Sequence, residues 1–138
     1  MSVLHDQVGF LPATRECLAS VDFNWRSGAV VGTFKGKVTV DDILAFWDDL
    51  MSGGDLPAET KGVLLDFSNA KLSFKASAYL RIVDYFVENI SFVRRFKIGV
   101  VANTPHNIVV LMLIARENYM YELRPFTTKR ACLVWIRG

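Results

Sequence analysis

Metal-binding side chains are scarce in this chain, which has two cysteines and two histidines in 138 residues. Cys17 and Cys132 stand near opposite ends without ligand spacing, and His5 and His106 are far apart, so no metal site is expected. Phosphate-cradling glycine loops are missing as well. Neither G-x-G-x-x-G nor G-x-x-x-x-G-K-S/T occurs, so a nucleotide would need another mode of binding. No serine or cysteine stands in a nucleophile-elbow context. The longest apolar run, residues 108–115, is far too short to span a bilayer. Charge of one sign is also lacking: the net charge of +2 gives nucleic acid no electrostatic footprint. No signal peptide is recognised, and with so few cysteines the expectation is a reducing cytoplasm.

What is present is apolar. Hydrophobic residues make up 51% of the chain and charged residues 22%, the balance of a folded domain. A chain of this length buries roughly 70% of its unfolded surface, so a single domain over residues 1–138 is expected, with 1–16 as a loosely ordered lead-in. Charge divides unevenly: residues 1–69 carry five Lys/Arg against ten Asp/Glu, and the rest carry eleven against four. In a small interleaved fold this reads as internal matching or as the mark of an anionic partner.

Periodicity predicts strands over 17–25 and 29–35 joined at Arg26-Ser27-Gly28 as a hairpin, with Gly36 ending the second. Thr39-Val40-Asp41-Asp42 is a helix start, its carboxylates facing the positive end of the dipole. Apolar residues follow on helical spacing as far as Gly53-Gly54. A buried strand is predicted over 62–67 and a long amphipathic helix over 75–93. A second buried strand covers 96–102, and Thr104-Pro105 opens a helix that is apolar through 108–115. Residues 120–124 read as an edge strand because Pro125 follows. Thr127 or Thr128 caps a last helix running to Trp135. The order is ββαβαβαβα: an α/β fold with a mixed sheet and helices packed on both faces.

The abrupt change in Gly62-Val63-Leu64-Leu65-Asp66-Phe67-Ser68-Asn69-Ala70 places polar groups at a strand exit, where α/β sheets bind ligands. Asp66, Ser68 and Asn69 would meet Asn103 and Thr104 from the next strand beside two helix N-termini, with Lys75 and His106 adding charge or hydrogen bonds. The same residues equally serve as caps and turns. His106 with Asp66 is the one pair able to suggest acid–base work, and it lacks the context of a catalytic site. A helix apolar all round must be covered on every side. The 108–114 segment is therefore expected to be covered by a second subunit, by the C-terminal segment, or by a ligand in an apolar pocket. That pocket would be lined by Phe74, Tyr79, Val83, Phe86, Ile108 and Met112. Arg94-Arg95-Phe96-Lys97 is a basic run that suits a solvated helix end or, alternatively, lipid head groups or an acidic partner.

Four segments carry a resemblance to a known family: Phe34-Lys35-Gly36-Lys37-Val38-Thr39, residues 62–70, residues 97–105, and Pro125-Phe126-Thr127-Thr128 with Ala131 and Trp135. Across residues 29–138 the chain resembles the STAS superfamily of sulfate transporters and anti-sigma-factor antagonists. It looks most like the divergent, free-standing STAS-like branch, which has been compared with CRAL-TRIO lipid-transfer domains. Antagonist members bind partner kinases and are switched by phosphorylation of a serine in Asp-Ser-Ser/Thr-Gly. Here the equivalent stretch is Leu72-Ser73-Phe74-Lys75-Ala76-Ser77, without the Asp or the Gly; Ser73 and Ser77 are neighbours of that site rather than matches. The resemblance implies a STAS-like mixed sheet and a non-enzymatic, regulatory binding module without cofactors. Its expected partners are a second copy of the chain and either an unknown protein or a lipid-like apolar small molecule. Nucleic acid is not expected, and membrane contact would be peripheral.

Overall fold

The computed structural model describes residues 8–10, 17–54, 56–117 and 120–138. Three strands open the fold: β1 (Val8–Phe10), β2 (Cys17–Asn24) and β3 (Ala29–Val38). They pair antiparallel in chain order. β1 falls inside the expected lead-in, so that part of the lead-in is an edge strand; residues 1–7 and 11–16 lie outside the described residues. β3 runs past Gly36, which pairs with Ala70 rather than ending the strand.

Helix α1 (Val40–Gly53) starts at the expected Thr39 with a reciprocal capping box. The Thr39 N–H donates to Asp42 Oδ2 at 2.8 Å, and the Asp42 N–H donates to Thr39 Oγ1 at 3.2 Å. Gly54 closes the helix with a φ of 68°, a conformation that costs glycine least. β4 (Gly62–Leu72) then pairs parallel with β3. The expected long helix is divided. A 3-10 turn (Ala76–Ala78) leads into α2 (Tyr79–Glu88), and α3 (Ile90–Val93) follows a break at Asn89. There the Asn89 side chain donates to the Tyr85 carbonyl at 2.9 Å and competes with the helical pattern. The chain continues through β5 (Lys97–Val101), α4 (Pro105–Arg116), β6 (Glu122–Phe126) and α5 (Lys129–Arg137).

All six strands lie in one sheet in chain order, β1-β2-β3-β4-β5-β6, with β3 to β6 parallel. Three crossovers stepping the same way with the usual right hand put α1, α2 with α3, and α4 on one face. The larger core lies there, with Phe46 and Trp47 of α1, Val83 and Phe86 of α2 and Val110 and Ile114 of α4 against Phe34, Val63 and Ile98 of the sheet. Rings run through it from Phe34 to Phe46, Trp47, Phe86 and Tyr121 at centroid distances of 5.6, 5.9, 5.3 and 5.0 Å. α5 leaves the last strand and, alone among the described helices, covers the opposite face. Its Cys132 and Ile136 pack on Ala29, Val31, Leu64 and Val101. Glycine permits that approach: a Cβ on Gly99 would lie 2.0 Å from Cys132 Sγ. No described helix is long and apolar enough to cross a membrane.

Candidate functional site

The strand exit expected after Phe67 is not an exit. β4 continues to Leu72, so Asp66, Ser68 and Asn69 lie within it. The register with β3 shifts here, with Thr33 opposite Asp66 and Lys35 opposite Asn69, which leaves one extra residue on β4. Such a bulge frees backbone groups from the ladder. Asp66 answers it: its Oδ1 accepts from the Ser68 N–H at 2.9 Å and from the Ser68 hydroxyl.

β5 pairs with β4 only as far as Asp66, so residues 67–72 of β4 overhang it. The first turn of α4 fills that gap. Asn107, 1% exposed, donates from Nδ2 to the Ala70 carbonyl at 3.0 Å, and its Oδ1 accepts from the Leu72 N–H at 3.1 Å. His106 Nε2 lies 3.0 Å from the Leu72 carbonyl, so that nitrogen carries the hydrogen and donates. Thr104 stands at the N-cap and Pro105 at the first helical position, as expected, but the Thr104 side chain caps nothing. Asn103, Thr104 and Lys75 are exposed, and no hydrogen bond joins them to Asp66, Ser68 or Asn69 among the described residues. The expected rim site is thus drawn apart: Asp66 and Ser68 hold a bulge, and His106 and Asn107 hold a helix to a strand. Asn107, the best-placed of these residues, had no signal in the sequence beyond its position in the first turn of α4.

The expected apolar pocket also divides. Val83 and Phe86 are core residues, and Phe74 and Tyr79 pack half-buried against that core. Ile108 and Met112 line a different space, an open groove of about 720 Å³ at the β6 edge of the sheet. The groove follows from topology. α4 lies on one face of the sheet, α5 lies on the other, and no further described strand covers β6. Val110, Leu111 and Ile114 of α4 turn inward and are buried, whereas Ile108, Met112 and Ala115, at i, i+4 and i+7, face the groove. Pro125 and Phe126 form the facing wall, and Ala102 and Ala131 contribute small side chains. The Phe126 carbonyl accepts from the Ala102 N–H at 3.0 Å, which turns the neighbouring Pro125 towards the open edge, where its missing N–H costs no ladder bond. Proline lies inside β6 rather than after it, contrary to the expected 120–124 strand. Arg116 and Thr127 are the polar groups of the lining. Tyr121, buried, donates its hydroxyl to the Ile114 carbonyl at 2.9 Å and fixes the end of α4.

The helix expected to be apolar all round is therefore covered on one side by the core. Its outer side is open, with Val109 51% and Met112 57% exposed. Neither cysteine is poised for chemistry. Burial, with the negative charge of Asp66 adding to it, pushes the Cys132 thiol up to about 12; burial and then Asp42 push Cys17 up to about 11. Among the described residues no group of three His, Cys, Asp or Glu could hold a metal ion.

No family model matches the chain, and no curated protein matches it in sequence. Solved structures match its fold. An anti-sigma factor antagonist from Mycobacterium paratuberculosis is 18% identical, with a TM-score of 0.60 over 93% of this chain and 100% of that one. An uncharacterized DUF3478-family protein with a SpoIIAA-like fold, from Shewanella loihica PV-4, is 16% identical, with a TM-score of 0.56 over 93% and 99% of the two chains. The expected STAS-like α/β fold is shown, with β1 added at the sheet edge.

Proposed function

We propose that this protein is a non-enzymatic, regulatory interaction module that seats a protein partner in the groove between α4 and β6. The observation that carries the reading is the apolar stripe that lines the groove beside Pro125 and Phe126, with Met112 exposed between half-buried Ile108 and Ala115. Val109 and Met112 are 51% and 57% exposed, so an association that covered them would gain about half of the roughly 1.5–3 kcal/mol that full burial of such a side chain brings. The structural likeness to a protein described as an anti-sigma factor antagonist supports a regulatory role. The absence of catalytic geometry around His106 and Asp66 supports a non-enzymatic one, since each is engaged in holding the backbone.

A second reading rests on the groove's size. At about 720 Å³, with Arg116 and Thr127 beside apolar walls, it matches the dimensions and lining of a small-molecule site. In that reading the chain carries a lipid-like molecule with its polar end at Arg116.

Native mass spectrometry of the protein purified gently from cells separates the two. A protein complex, homodimeric or mixed, that Met112→Glu abolishes and Leu80→Glu leaves intact is the expected result. An added small mass, released on denaturation and lost in Met112→Glu, would replace the interaction module with the carrier. A bare monomer would overturn both.

A further inference from the structure

A second concave surface lies on the far side of the sheet, where α5 meets the turn between β2 and β3. It measures about 600 Å³, and its charged lining residues, Arg26, Lys129, Arg130 and Arg137, are all cations. None is ion-paired with a described residue; the ion pair found among those residues is Arg81–Asp41, on the opposite face. Leu133 and Val134 lie between the cations, Val134 64% exposed.

The arrangement is built rather than incidental. Arg130, Leu133 or Val134, and Arg137 recur at i, i+3 or i+4, and i+7, so they share one face of α5. Cys132 and Ile136 hold the opposite face in the core. The turn that brings Arg26 is fixed by the Ser27 N–H on Asn24 Oδ1 at 3.0 Å and the Gly28 N–H on the Asn24 carbonyl at 2.9 Å. Lys129 and Arg130 stand in the first turn of α5, against the helix dipole, where acidic residues would add stability. Like charges gathered around exposed apolar side chains weaken a fold and favour an anionic partner.

We infer that this face of α5 binds an acidic peptide segment of a partner protein. Spacing selects the peptide. From Arg130 to Arg137 the helix advances about 10 Å, a spacing that two separate carboxylates on one strand match. An extended peptide rises about 3.3 Å per residue, so two carboxylates three residues apart reach both arginines. An apolar side chain between them rests on Leu133 and Val134. The surface is concave, so a flat lipid headgroup layer would meet only its rim. The inference rests on the reading of the chain as an interaction module, but it uses a surface distinct from the α4 groove.

Fluorescence anisotropy tests it with a short labelled peptide carrying two glutamates three residues apart around a leucine. Saturable binding is expected at low salt, weakening as salt screens the charges. Arg130→Ala/Arg137→Ala should bind about tenfold or more weakly with a melting temperature no lower than the parent's, and Lys71→Ala/Arg94→Ala should bind as the parent does. No saturable binding would overturn the inference. So would equal binding by the Arg130→Ala/Arg137→Ala variant, or equal binding of the glutamine-for-glutamate peptide. Binding confined to phosphatidylserine-containing vesicles would overturn it in favour of a membrane surface. Met112→Glu should bind the peptide normally. Peptide failure alongside a Met112-dependent complex therefore sinks this inference alone, and loss of that complex alongside normal peptide binding sinks the α4 groove alone.

Discussion

Asn107 stands beside Leu72 where a strand would otherwise lie: its side-chain amide accepts the Leu72 N–H and donates to the Ala70 carbonyl, the two bonds that β5 is too short to make. A residue buried to 1% exposure thereby ties the start of α4 to the overhang of β4. The groove wall depends on that tie, because Ile108 follows Asn107 directly.

Replacing Asn107 by Ala should leave two buried backbone groups without partners, each worth about 1–3 kcal/mol. Asn107→Asp keeps the acceptor for Leu72 but sets a carboxylate against the Ala70 carbonyl, and should also destabilise. Urea denaturation measures the loss. Protection of the Leu72 amide from hydrogen exchange should fall in Asn107→Ala, and an unchanged rate would refute the tie.

Asp66 is expected to act through the bulge rather than through chemistry. Asp66→Ala removes the acceptor for the Ser68 N–H and should cost about 1–2 kcal/mol. Asp66→Asn keeps an acceptor oxygen and should cost less. Thermal melts of the two variants rank them, and equal losses would show that the bulge does not need this side chain.

The contact between Gly99 and Cys132 makes a paired prediction. Gly99→Ala places a methyl 2.0 Å from Cys132 Sγ and should cost at least the ~1–3 kcal/mol typical of overpacking. Adding Cys132→Ala removes the sulfur, so the double variant should recover part of the loss. A double-mutant cycle with no coupling would mean that α5 shifts freely on the sheet.

The buried thiols set a pH dependence of stability. Their ordinary value is 9.0, and in the folded chain they stand at about 11 for Cys17 and about 12 for Cys132. Between these values the folded chain keeps protons that the unfolded chain has released, so stability falls as pH rises. The contribution is fully present below about pH 9 and is lost as pH climbs through 11 and 12. Urea midpoints from pH 8 to 10 should fall more steeply for the parent than for Cys17→Ala/Cys132→Ala. Parallel curves would refute the assignment. Iodoacetamide at pH 8 should modify neither thiol before unfolding.

Much of the fold was legible because local signals agreed with it. The Thr39 capping box, the Thr104-Pro105 start, the cap at Thr127 or Thr128, which the structure places at Thr128, and the apolar runs of β4 and β5 each state a physical preference that the neighbouring residues share. The misreadings fell where tertiary pairing overrides local pattern. Polar Ser68 and Asn69 looked like a strand end, but pairing with β3 carries β4 on to Leu72. Phe86 looked like a pocket wall because its helical stripe is apolar, and a stripe facing a core has the same pattern as one facing a cavity.

By itself the sequence determined where helices start, which faces are apolar and that strands and helices alternate, because those properties depend on neighbours three or four residues away. Only the tertiary structure decided which apolar faces are used up. The four helices α1 to α4 share one side of the sheet and close the larger core. Among the described residues α5 stands alone on the other side with Arg130 and Arg137 outward, and β6 ends the sheet beside an open groove. Those outcomes depend on strand order and on the lengths at which β4 and β5 stop pairing. Contacts between residues distant in the chain set both, and no local pattern encodes them.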